Sequence, residues 1–329
     1  MDVSAPVASP TAQQNRMLRR LVRIAAVVLV IGVALFTAVY LVDQHTDPGP
    51  SLADRKVATL EQAVRADPQA LAPRLQLAVA YTAAGRSKDA TNQYNEVLKE
   101  SPQNVTALLG KADILHMAGD TTSALALYQQ VISVRKDGEY AGADTELEHA
   151  FYSVGTIETV ARHYAEAIAA LEAAVRINGA DADAWYQLGV AQLGAGVPDK
   201  AVAAERNAVA FVPLEWADPY TTMAQAYTAL GKTDDATWAT AMTDLIAKRY
   251  DKAGPALQPL LGGPAAADAS LSLGFLAEMQ GDPAGALAWY RKVLALDPQN
   301  ASALSGVTRL GGGSPVPSAS SSNAPAGSG

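Results

Sequence analysis

The sequence predicts an all-α fold: a single N-terminal transmembrane helix followed by a solenoid of helix–turn–helix units. Three observations predict it. Residues 24–42 run for nineteen positions without a charge. Beyond them, Gly, Ala and Pro landmarks recur at a spacing of 34 residues. The chain is 49% hydrophobic but only 6% aromatic, with Ala conspicuous, and that composition favours closely packed helices over sheets.

Residues 1–23 form a short basic leader, with Arg16, Arg19, Arg20 and Arg23 against one acid, Asp2. The run from Ile24 to Val42, IAAVVLVIGVALFTAVYLV, follows. As a helix it spans about 28 Å at 1.5 Å per residue, close to the roughly 30 Å of a hydrocarbon layer. A helix satisfies its own backbone polar groups where lipid cannot. A cleaved signal peptide has a shorter apolar core and a small-x-small cleavage site. This run is longer and passes into Leu41-Val42-Asp43-Gln44 without such a site, so an uncleaved anchor is expected. Basic flanks stay in the cytoplasm. The N-terminus is therefore expected inside the cell membrane, with the C-terminal repeat region extracytoplasmic.

A linker is expected over 43–50, and the repeats over 51–310. Pro68 and Pro102 are 34 apart, as are Gly85 and Gly119, Ala90 and Ala124, Ala167 and Ala201, and Gly179 and Pro213. The fullest unit reads Trp185-x2-Leu188-Gly189, then Ala201, Ala208 and Pro213, with Gln192 and Glu205 at positions aromatic in other units. One such unit holds Tyr81, Gly85, Ala90, Tyr94 and Pro102, and another Gly274, Gly281, Ala286, Tyr290 and Pro298. Further units run through Leu108, Gly119, Ala124 and Tyr128; through Phe151, Gly155, Ala167 and Leu171; and through Tyr220, Tyr227, Gly231 and Ala236.

This pattern resembles the tetratricopeptide repeat (TPR), a 34-residue helix–turn–helix unit, and in particular membrane-anchored bacterial-type TPR proteins. The resemblance covers about residues 71–310 and implies a right-handed solenoid of about six units. Its small residues, such as Gly189 and Ala201, are expected where the two helices of a unit approach closely, with aromatics filling the space between units. Leu52 to Ala66 and Ala301 to Leu310 read as half-unit caps, which a stacked array needs at its ends. Two stretches break the period: an insertion at 136–145, and 237–261, where Gly254, Pro255 and Pro259 predict a bend or an incomplete unit. Residues 311–329 are rich in Gly, Ser and Pro and cannot bury a core, so a disordered tail is expected there.

Several function classes are disfavoured. With no Cys, thiol catalysis, disulfides and Cys-ligated metal centres are excluded. Residues 43–329 carry a net charge of −11, which argues against nucleic acid as a partner. Gly231-Lys232-Thr233 lacks the preceding Gly and strand of a phosphate loop and reads as an inter-helix turn. His45, His116, His149 and His163 form no HExxH pair, and no metal or cofactor site is expected. Glu146, Glu148, Asp181 and Asp183 read as helix N-terminal acids.

What remains is binding. In the TPR family the first helix of each unit lines a concave groove. Carried onto this chain, that implies protein-contacting roles for Leu75 and Val79; Leu109, Asp113 and His116; Tyr152 and Thr156; Tyr186 and Val190; Thr221 and Gln225; and Leu271 and Phe275. The Lys/Asn/Arg clamp with which some relatives hold a C-terminal carboxylate is absent. The groove is expected to be apolar with neutral polar groups, suited to a protein or peptide partner. The expected function is a membrane-anchored extracytoplasmic scaffold. An envelope chaperone or assembly factor, of export or cytochrome-maturation type, is the alternative. An enzyme is the least expected reading, since no catalytic constellation is present.

Overall fold

In the computed structural model, residues 29–37, 40, 51–210 and 212–311 are described. Two compact units divide the chain between Gln69 and Ala70. In the first, residues 29–37 and 40 are helical and exposed. The rest of the expected 24–42 span, the 1–23 leader, the 43–50 linker and the 312–329 tail lie outside the described residues. Among the described residues no helix is long and apolar enough to cross a membrane. The unit closes with α1 (Leu52–Ala66), whose start is fixed by a capping box in which Ser51 and Asp54 each bond the other's backbone N–H.

The second unit is all-helical over its described residues. Its helices form six pairs: α2 (Leu71–Ala83) with α3 (Ser87–Glu100), α4 (Val105–Met117) with α5 (Thr121–Arg135), α6 (Thr145–Val160) with α7 (Tyr164–Ile177), α8 (Ala182–Gly194) with α9 (Pro198–Ala208), α10 (Asp218–Ala229) with α11 (Thr233–Ile246), and α13 (Ala266–Met279) with α14 (Pro283–Leu296). Between the last two pairs lies α12 (Tyr250–Leu257), with Pro255 inside it, followed by a 3-10 turn from Gln258 to Gly262. A single helix, α15 (Ala301–Leu310), packs on α14. The irregular stretch at 237–261 is thus the end of α11, a short proline-containing helix and a 3-10 turn. The 136–145 insertion holds a 3-10 turn at Ala141–Ala143, tied down where Arg135 pairs with Asp144 at 2.7 Å and with Glu146 at 3.1 Å.

The boundaries follow from short-range chemistry. Asn104, Asp120, Asp144, Asp181, Asp282 and Asn300 each cap a helix by accepting backbone N–H bonds. Inside most pairs the turn passes through a left-handed residue: Gly85, Gly119, Gly196, Gly231 and Gly281. Arg162 takes that conformation between α6 and α7, at φ 63°, although its Cβ disfavours it.

Between paired helices a glycine on the first makes room for a large side chain on the second. A Cβ at Gly155 would collide with Leu171, at Gly189 with Glu205, and at Gly274 with Tyr290; between adjacent pairs, one at Gly110 on α4 would collide with Tyr94 on α3. Tyr94, Tyr128, Leu171 and Tyr290 are almost wholly buried there. This is the close approach that the spacing of small and aromatic residues predicts.

Candidate protein-binding face

The first helices of successive pairs present one face each. Leu75, Asp113, His116, Tyr152, Thr156, Tyr186, Val190 and Leu271 are partly exposed on it, and Val79, Thr221 and Gln225 are exposed. Leu109 and Phe275 are corrections to the groove set. Both are about 8% exposed and belong to the core, Leu109 among Leu108, Ala112 and Tyr128, and Phe275 edge-on to Tyr290 at 6.0 Å. Their displacement has a simple cause: face and core positions adjoin on a helix, so a small rotation turns one into the other.

At α4 and α6, Asp113 accepts hydrogen bonds from Tyr128 Oη at 2.6 Å and from His149 Nε2 at 2.9 Å. Burial pushes the Asp113 carboxyl up, but the bonds from His149 and Tyr128 outweigh it and hold the group below the ordinary carboxylate range. The same bond to Asp113 raises His149, against the effect of burial. His116 shares the face and His163 bonds Glu158 at 2.7 Å. Among the described residues no three His, Asp or Glu side chains are placed to hold a metal ion.

The next stretch departs from the expectation of a neutral apolar groove. Glu148 lies one turn before Tyr152 on α6, and Asp181 caps α8 by accepting from the Ala184 N–H at 3.0 Å. Burial and crowding by Asp181 push the Glu148 carboxyl up to about 7, so it is about half ionised near neutrality. Tyr152 is raised too, by burial and then by Asp183, Asp181 and Glu148. One unit further on, Tyr186 stands edge-on to Trp216 at 4.7 Å, and Trp216 Nε1 donates to Asp218 at 3.1 Å. Burial and Asp218 raise Tyr186. Glu148, Asp181, Asp183 and Asp218 have no Lys or Arg ion-pair partner among the described residues. Beyond them the charge is neutralised: Arg206 pairs with Asp268 at 2.7 Å and donates to Tyr227 Oη.

The face is therefore a row of aromatic rings set among carboxylates, centred on α6, α8 and the start of α10. Glu148, Asp218 and Trp216 were not among the expected groove residues. The signal for the acids is helical spacing, Glu148 four residues before Tyr152 and Asp218 three before Thr221, which puts them on the same helix face. Trp216 lies in the loop between α9 and α10, where no periodicity could place it.

Known proteins place the architecture. Two family models, both described as tetratricopeptide repeat, match residues 75–141 and 160–215, and residues 267–300. No curated protein matches the sequence. Among solved structures, YrrB, a TPR protein with an unusual peptide-binding site, is similar at 18% identity and a TM-score of 0.51, over 60% of this chain and 97% of that one. MamA is similar at 23% identity and a TM-score of 0.48, over 55% and 94%. The C-terminal part of a TPR repeat-containing protein from Cytophaga hutchinsonii gives 17% identity and 0.48, over 76% and 93%. The matched residues coincide with five of the six helix pairs in whole or part, and over them this chain carries tetratricopeptide repeats.

Proposed function

We propose that this protein is a membrane-anchored extracytoplasmic scaffold, whose first-helix face binds an extended partner segment carrying Lys or Arg. The carrying observation is the run of aromatics, Tyr152, Tyr186 and Trp216, among the unpaired carboxylates of Glu148, Asp181, Asp183 and Asp218. Rings offer broad, rigid contact area and attract cations through their faces. The carboxylates select a cationic guest and repel an acidic one. YrrB's peptide-binding site belongs to a protein of the same fold, and peptide binding in general, not that site, is what we extend here.

A cation seated against Glu148 must displace the proton that Glu148 holds below about pH 7. Affinity for a basic peptide should therefore rise as the pH climbs through about 7. The anchor rests on the uncharged stretch at 24–42 and the orientation on its basic flank.

Photo-crosslinking in intact cells tests the face, with the reactive group at Tyr152 or Tyr186 and a control at the exposed Gln129 on α5. Adducts from the two face positions alone, with basic segments at the crosslinked sites, are expected; equal adducts from Gln129 would refute the assignment. Because the chain has no Cys, a single Ser318→Cys or Ala5→Cys reports its own side of the membrane. A membrane-impermeant maleimide should label the first in intact cells and not the second. The reverse pattern would overturn the orientation, and equal labelling the anchor.

A further inference from the structure

The first-helix face repeats one chemical element at an interval of one unit. The Tyr152 ring of α6 feels the charge of Asp183 on α8, and the Tyr186 ring of α8 feels that of Asp218 on α10. The two tyrosines are 34 residues apart and the two acids 35. Those are the steps of the repeat itself, from Gly155 to Gly189 and from Gly196 to Gly231. First helices of neighbouring units touch, α6 with α8 and α8 with α10. Both rings are partly exposed, and both acids are exposed with no ion-pair partner among the described residues. Each ring with its carboxylate is a cation subsite. The second is enlarged by Trp216, which stands edge-on to Tyr186 and is held by its bond to Asp218.

The array supplies its own example of a filled subsite. Asp268 stands six residues before Gly274, as Asp183 stands six before Gly189, so the two acids hold equivalent places on α13 and α8. At Asp268 the chain provides the cation. Arg206 Nη2 donates to its carboxylate at 2.7 Å, and the same guanidinium lies 5.0 Å from the centre of the Trp238 ring. In the other direction the series ends at α6, where His149 stands six residues before Gly155 in place of an acid. Two subsites are therefore left open, one unit apart, beside a third that an arginine already satisfies.

Spacing then selects the guest. Helices in contact pack about 8–10 Å apart, and that sets the distance between the open subsites. In a β-strand, side chains on one side recur every two residues, at about 6.7 Å and then about 13 Å. In polyproline II they recur every three residues, at about 9.3 Å. Of extended chains, only the second matches. We propose, resting on the reading of this face as a site for basic segments, that its guest is a polyproline II segment of another protein with two basic residues three positions apart, one on each open subsite. Arginine suits both, because its planar guanidinium stacks on a ring while it pairs with a carboxylate. The stiffness of polyproline II keeps the ordering cost of such a guest low.

The test titrates the full chain at pH 8, where Glu148 is ionised, into labelled proline-rich peptides followed by fluorescence anisotropy. Three peptides carry two arginines, spaced two, three or four positions apart, and a fourth carries two glutamines three apart. The three-apart arginine peptide should bind roughly five- to tenfold more tightly than the other two arginine peptides, the effect of engaging one more cation subsite. Asp218→Asn, at an exposed position, removes one carboxylate without burdening the core and should cut that preference to about twofold or less. Equal binding of the three arginine peptides, each tighter than the glutamine peptide, would overturn the spacing and leave the basic partner standing. Arginine peptides that bind no better than the glutamine peptide would overturn both. A preference for another spacing, or one that survives intact in Asp218→Asn, would overturn the assignment of two subsites.

Discussion

Glu205 is wholly buried, and neither of its carboxyl oxygens has a hydrogen-bond partner of good geometry. It lies against Gly189, with Thr222 close enough to ease its ionisation slightly. Burial, with a further push from Asp218, raises the group from 4.5 to about 10. The folded chain therefore holds a proton that the unfolded chain releases above pH 4.5. A folded state that binds more protons loses stability as the pH rises, by about 1.4 kcal/mol per unit for one proton. From pH 4.5 to pH 7 this single residue should lower stability by about 3 kcal/mol, with a further decline towards pH 10. Glu205→Gln keeps the shape and removes the titration. The variant should match the natural chain near pH 4.5 within the small cost of a differently bonded amide. Its advantage should grow with pH to about 3 kcal/mol at pH 7, or roughly 6–10 °C in thermal midpoint for an array of this size. Thermal unfolding of both chains, followed by far-UV circular dichroism from pH 4.5 to 8, measures it. Two curves that keep a constant separation across that range would refute the reasoning, because they would mean that Glu205 ionises in the fold as freely as outside it.

Three other perturbations separate the remaining claims. Arg162→Gly should stabilise the chain by up to about 1 kcal/mol, because a left-handed residue without a Cβ loses its strain; an unchanged or lower thermal midpoint would count against strain at that turn. Gly274→Ala should destabilise by about 1–3 kcal/mol, since its Cβ would strike the buried Tyr290 ring and overpack the α13–α14 contact; wild-type stability would mean the pair has slack. Asp113→Asn should lower the pH at which His149 titrates in NMR spectra, because the hydrogen bond that His149 donates to Asp113 is the largest cause of its elevation. A folded-state elevation of a His stabilises below about pH 6.5 and fades as the pH rises through its folded value, so any stability lost in Asp113→Asn should be largest on the acid side.

The array was readable from sequence because each of its rules is local or periodic. Gly155, Gly189 and Gly274 each stand sixteen residues before their partners Leu171, Glu205 and Tyr290, and that fixed offset reports one packing contact recurring from unit to unit. Capping residues such as Asp120 and Asp181 announce their helices within three residues. The binding face was less readable for a physical reason. Whether Leu109 or Phe275 faces out depends on a few degrees of helix rotation set by neighbouring units, and spacing alone does not encode that. The acidity of the face was hidden differently. Asp181 and Asp183 do serve the start of α8, as their position suggests, but stacking brings them against Tyr152 and Glu148 of the unit before, and that neighbour relation is tertiary.

Gln192 and Glu205 stand in the unit that otherwise follows the repeat most fully, at positions where other units hold aromatics. Both are buried with unmatched oxygens. A sequence that obeys its own pattern nearby and breaks it at two buried positions has reasons that packing does not supply. Gln192 lines the space between α7, α8 and α9 with its Oε1 shut from water, whereas Glu205 lies against Gly189. Glu205→Tyr tests the second. It places against Gly189 the ring that Tyr290 presents to Gly274, with its hydroxyl reaching towards the first-helix face as Tyr128 reaches Asp113. The variant should be more stable at pH 7 and lose the pH dependence, and a dependence left unchanged would show that a group other than Glu205 is its source.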